Sequence, residues 1–139
     1  MTGSRLRMRF PSSPTSAGEA RRFVESVLEA GDLGHLSYTA TMLVSELVAN
    51  AVLHTGTPVE VVVSPESDGV RVEVHDGSPQ LPIRKHYSTM SGTGRGLLLV
   101  ERVASAWGSD RTDDGGKVVW FELDGSSALV FDIVEAEAL

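Results

Sequence analysis

Two valine-rich runs, 58–64 and 70–76, stand on either side of Pro65-Glu66-Ser67-Asp68-Gly69. Branched side chains suit a pleated surface, and a cluster of Pro, Asp and Gly between such runs marks a reversal of direction, so the pair predicts a β-hairpin. A second hairpin is expected where 107–111 and 117–123 flank Asp113-Asp114-Gly115-Gly116. Near the N-terminus Leu6, Met8 and Phe10 alternate with Arg5, Arg7 and Arg9, which predicts an edge strand with its apolar residues toward a core and its arginines toward water.

Three segments follow the helical period instead. Ala20, Phe23, Val24, Val27 and Leu28 form one stripe, with Thr15 or Ser16 as the expected cap and Gly31 as the stop. A second helix is expected from Ser37 to about His54, with Val44, Leu47, Val48 and Ala51 on one arc. The third opens at Arg95 and carries Leu97, Leu98, Val100, Val103 and Ala104. Strand, helix, helix, hairpin, helix, hairpin is not an alternating βαβ series. It predicts an α/β (α+β) two-layer sandwich: a mixed, mainly antiparallel sheet with helices packed on one face.

The 139 residues suit one domain, with a core about 5–123 and a C-terminal extension, 124–139, that adds a strand or frays. No cysteine is present, which excludes disulfides, thiolate catalysis and Cys-ligated zinc and suits a cytoplasmic setting. No uninterrupted apolar run approaches the roughly 20 residues that span a bilayer, so no membrane association is expected. Twelve basic against nineteen acidic residues give a net charge of −7, which repels phosphate backbones and argues against direct nucleic-acid binding.

Candidate chemistry lies at three places. Glu46 and Asn50 stand one helical turn apart, so a carboxylate and an amide oxygen share a face. Magnesium takes oxygen ligands and keeps waters and phosphates, and a nearby carboxylate can deprotonate an attacking hydroxyl; a plain polar flank is the competing explanation. Asp76 ends a strand, where it either accepts a hydrogen bond from an exocyclic amine such as that of adenine or makes a common Asp-Gly turn. Gly92, Thr93, Gly94, Arg95, Gly96 and Leu97 open a helix, and glycines there leave amides free to hold phosphate. Arg95 either pairs with a terminal phosphate or pins the preceding loop, 77–91, which has the length and polarity of a lid. His54 is expected to line the same site or to make a structural hydrogen bond at the helix end; His75 faces the other side of its strand and receives no role.

With ELVANAVLH, VEVHDGSP, GTGRGLLLVERVA and GGKVVWFEL in that order, the chain resembles the histidine-kinase-like (GHKL) ATPase superfamily over about residues 5–123. Its short form is similar to the anti-sigma-factor serine/threonine kinases. The resemblance implies ATP and Mg2+ as cofactors and phosphoryl transfer to a serine of a STAS-type anti-anti-sigma factor, with a sigma factor as the second partner. It also implies a homodimer. Carried over by position, Asn50 ligates magnesium, Glu46 is the general base, Asp76 binds the adenine amino group, and Gly92, Gly94 and Gly96 wrap the phosphates. Arg21 and Arg22 on the first helix become candidates for partner docking.

Two positions depart from the family pattern. Ser78 stands where the adenine motif usually has glycine, and Val118 removes a hydroxyl that usually follows the lysine of the last motif. They support an alternative, a binding module that keeps the fold, does not turn over ATP and acts by sequestration alone. A sensor-kinase catalytic domain is the third reading, disfavoured because no helix with a phosphoacceptor histidine precedes Thr15.

Overall fold

The computed structural model of the protein describes residues 4–78 and 95–125, with backbone alone for 95–97. The expected lid, Gly92, Thr93, Gly94 and the C-terminal extension beyond Gly125 lie outside the described residues. Among the described residues five strands and three helices occur in the order β1 (Leu6–Phe10), α1 (Ser16–Ala30), α2 (Ser37–Thr55), β2 (Val59–Glu66), β3 (Gly69–Asp76), α3 (Arg95–Val103), β4 (Ala106–Arg111) and β5 (Lys117–Asp124), with one 3-10 turn, Gly34–Leu36, before α2.

The strands form one sheet in the order β1-β2-β3-β5-β4. Every pairing is antiparallel, so among the described strands the sheet is not mixed. Both hairpins impose antiparallel neighbours, and β5 returns between β3 and β4, which keeps those two like-directed strands apart. The result is a split β3-α3-β4 unit with β5 in its gap.

The first hairpin is tighter than the sequence suggested. Glu66 pairs with Gly69, leaving Ser67 and Asp68 as a two-residue turn and drawing Pro65 into β2 opposite Val70. Proline is tolerated there because β1 pairs only as far as Val63, so the missing N–H removes no bond on that side. Gly69 is required by contact: a Cβ would lie 2.1 Å from the Leu123 carbonyl oxygen.

One face of the sheet carries Val59, Val61, Val63, Val70, Val72, Val74, Val119, Phe121 and Leu123, all buried against helical Val24, Leu28, Leu43, Val44 and Val48. Burying one such side chain contributes about 1.5–3 kcal/mol, which makes this layer the main source of stability. By length and composition Gly34–Thr55 could cross a bilayer, its 18-residue apolar window having mean hydropathy 1.3, but 56% of that window is buried inside the fold, as in a core helix.

The expected cap of α1 is different. Thr15 is already helical and makes no cap bond. Instead the Ser16 hydroxyl donates to the Pro11 carbonyl at 2.6 Å and its amide to the Ser13 carbonyl at 3.0 Å. Gly31 follows the helix end, but the left-handed residue is Asp32, with φ 63°, and the Leu33 amide closes back on Leu28 at 2.8 Å.

β1 is the edge strand, and here the inward-facing expectation is corrected for two of its three apolar residues. Phe10 is buried and meets the Phe23 ring edge-on at 6.4 Å, whereas Leu6 and Met8 are 45% and 46% exposed. They share the helix-bearing face with their partners Val63 and Val61, yet α1 covers only the Phe10 end of the strand.

The opposite face of the sheet is ionic. Glu73 accepts from Arg5 at 3.4 Å, Arg71 at 3.3 Å and His75 at 2.8 Å; Arg71 also reaches Glu122 at 3.2 Å and lies 4.1 Å above the Trp120 ring. Burial raises the Glu73 carboxyl, but the His75 hydrogen bond and the arginine charges outweigh it and hold it below its ordinary value of 4.5. Gly108 makes room for this layer, since a Cβ would stand 2.8 Å from the Trp120 ring.

Candidate functional site

The expected site residues sit on elements that touch. Glu46 and Asn50 lie on α2, which packs against both β3 and α3. Leu47, Val48 and Ala51 anchor that helix in the core, so its flank is fixed in rotation. Glu46 is half-buried. Asn50 is only 8% exposed, and its amide makes no hydrogen bond among the described residues. Among the described residues Ser37 Oγ alone is a fully enclosed side-chain atom without a partner, so the Asn50 amide reaches solvent and is open to a ligand. A carbonyl oxygen so placed suits a hard cation or a bound water, which is the chemistry expected of a magnesium ligand.

The C-terminal end of α2 is tied to the end of β3. Gly56 closes the helix in the left-handed conformation at φ 67°. The chain then turns so that Thr55 Oγ1 bonds Thr57 Oγ1 at 2.9 Å and accepts the Thr57 amide at 3.1 Å. Thr57 Oγ1 in turn accepts the Gly77 amide at 2.9 Å. A Cβ on Gly77 would press on the Thr57 side chain at 3.2 Å, so glycine permits the approach. This clasp joins the Asn50 helix to the residue after Asp76. Beside it the His54 side chain is exposed and bonds to nothing among the described residues, so the expected structural hydrogen bond is absent.

Asp76 ends β3 with its side chain 3% exposed. Of the two alternatives read from the sequence, the turn is present. Oδ1 accepts the Ser78 amide at 2.8 Å in an Asx turn, while the carboxylate remains buried on the helix-bearing face. Oδ2 accepts from Lys117 Nζ at 2.7 Å. The pair is nearly enclosed, with the lysine side chain 11% exposed. Removing one partner from a buried pair strands the other charge, so each residue holds the other in place.

Lys117 is the residue that the sequence reading missed. The absent hydroxyl at Val118 was expected to matter, but Val118 pairs with His75 and shares that residue's side of the sheet. Lys117 is the residue opposite Asp76. The signal was available in the alternation of β5: Val119, Phe121 and Leu123 face the core, which places Lys117 on that face and Val118 on the other. Gly116 lets the strands close here, since a Cβ would lie 2.1 Å from the Asp76 carbonyl oxygen.

Arg95, Gly96 and Leu97 form the first turn of α3, whose Val100 and Val103 are buried. A helix therefore begins where phosphate binding was expected, and the dipole of its first turn favours an anion there. No group of three or more His, Cys, Asp or Glu suitable for a metal occurs among the described residues, so a cation here would rely on the amide and on ligand oxygens.

Sequence comparison agrees with the architecture. No curated protein matches the chain. Residues 10–123 match the histidine kinase-like ATPase domain, a span from Phe10 to Leu123 that takes in all five strands at least in part and holds Asn50, Asp76 and the start of α3. With that much of its length matched, and with a five-stranded antiparallel sheet backing the helices that carry those residues, the chain belongs to the histidine kinase-like ATPase family, whose fold suggests ATP binding.

Proposed function

We propose that the protein is a cytoplasmic, Mg-ATP-dependent protein serine kinase that also sequesters a sigma factor, with a STAS-type anti-anti-sigma factor as phosphoacceptor. The observation that carries the nucleotide part is the Asn50 amide, solvent-accessible and without a hydrogen bond among the described residues, one turn from Glu46 on a helix clasped to the Asp76 strand end. The choice of partners follows from the resemblance of the four motifs to the anti-sigma-factor kinases. The same resemblance supports a homodimer, and the net charge of −7 supports a protein partner over nucleic acid.

In this reading Asn50 holds magnesium, which when bound neutralises phosphate charge. Gly92, Gly94 and Gly96 hold the phosphates, and Asp76 holds the base. The acceptor serine oxygen forms the new bond to the γ-phosphorus as the bond from phosphorus to the β,γ-bridging oxygen breaks, and the hydroxyl proton passes to Glu46. The protein thus supplies positioning and a base.

The test is transfer of labelled γ-phosphate from Mg-ATP to a STAS-type protein. Glu46→Gln should lower transfer by about 100-fold or more while ATP still binds, because general-base catalysis is typically worth that much. Asn50→Ala should weaken Mg-ATP binding by at least about tenfold, read by calorimetry. No transfer at saturating Mg-ATP would end the kinase assignment.

One observation favours a second reading, the sequestering module without turnover. Both carboxylate oxygens of Asp76 are already engaged within the protein. A titration showing no heat and no thermal stabilisation with Mg-ATP would select it.

A further inference from the structure

Lys117 changes what the end of the sheet offers to a base. A carboxylate alone only accepts hydrogen bonds; an ammonium alone only donates them. At the β3–β5 end the two stand side by side, Asp76 Oδ2 and Lys117 Nζ, 2.7 Å apart and nearly enclosed. Oδ1 is used by the Ser78 amide, but Oδ2 keeps a second lone pair and the ammonium keeps two further N–H groups. The register fixes the arrangement, since the two residues are direct cross-strand partners on the core-facing side.

An adjacent acceptor and donor is the complement of the hydrogen-bonding edge of adenine, where the exocyclic N6 amine donates and the neighbouring ring N1 accepts. The geometry points to Lys117 as a base-reading residue: its ammonium donates to N1 while Asp76 Oδ2 accepts from N6. This inference rests on the nucleotide-binding reading and adds a specificity-determining residue to it. The ion pair is then the preformed half of the site rather than an obstruction. A donor held by a buried carboxylate keeps its orientation without the base, and a charge-assisted bond to N1 is stronger than a neutral one.

The measurement is calorimetric affinity of the full chain for Mg-ATP and for Mg-1-deaza-ATP, in which N1 is replaced by C–H. The unaltered protein should bind the deaza analogue roughly tenfold or more weakly, the scale of one lost bond to a charged donor. This comparison needs no substitution, so it survives any folding defect in a variant. In Lys117→Gln, which keeps a donor but is one bond shorter and loses the charge, the ratio between the two nucleotides should shrink to about threefold or less. Equal affinities for ATP and the deaza analogue in the unaltered protein would overturn the role of Lys117 while leaving nucleotide binding intact. An undiminished ratio in Lys117→Gln would overturn it as well, since the charged donor would not be what N1 meets. Absence of binding by either nucleotide would remove the nucleotide-binding reading itself, and this inference with it.

Discussion

Glu73 shows how one side chain on a solvent-side face is held. Three donors converge on its carboxylate, and the charged form wins over the cost of burial. Because its folded pKa lies below the ordinary 4.5, the stability it contributes is fully present above that pH and is lost as pH falls through the lowered folded value. Glu73→Gln should therefore cost about 1 kcal/mol at neutral pH and flatten the acid limb of stability against pH. Urea titrations at a series of pH values would check it; an unchanged acid limb would mean that the cluster is ornamental. Asn50 and Asp76 were legible as single positions because spacing alone put them at a helix flank and a strand end. Lys117 was not, because its role depends on which residue faces it across the sheet.

Each helix and strand expected from periodicity exists, within a few residues at its ends. What the pattern could not supply was cover. Leu6 and Met8 alternate as inward-facing residues should, and they do face the helix side, but among the described residues they stay about half exposed. Alternation reports a face; burial requires a neighbour of sufficient length. Capping differed too: Thr15 makes no cap bond, and Ser16 ties the helix start back to the preceding turn through the Pro11 and Ser13 carbonyls. The β3–β5 closure gives a test at this level. Gly116→Ala places a methyl against the Asp76 carbonyl, so the strand ends must part. Destabilisation of about 1–3 kcal/mol is expected, together with weakened ATP binding. Full stability with unaltered affinity, by thermal melts and calorimetry, would contradict the tight approach.

The two-layer architecture was readable from the order of elements, whereas the strand order β1-β2-β3-β5-β4 was not, because local pattern cannot say that the last hairpin turns back into the sheet. All three described helices and four of the strands share one continuous core. Small proteins with one core unfold in a single transition, so far-ultraviolet dichroism and tryptophan fluorescence should give coincident denaturation curves. The comparison is sharp because Trp107 packs against the core while Trp120 sits beneath Arg71 on the ionic face. Separated curves would mean that the two faces come apart independently. The position of β5 has a further consequence for synthesis. The strand made last among those described occupies an interior place, so a chain still on the ribosome holds β3 and β4 with nothing between them. Until residue 117 and its successors emerge, neither the layer nor the Asp76 carboxylate has its final neighbour, and a stalled or clipped product would expose two bare strand edges to other chains.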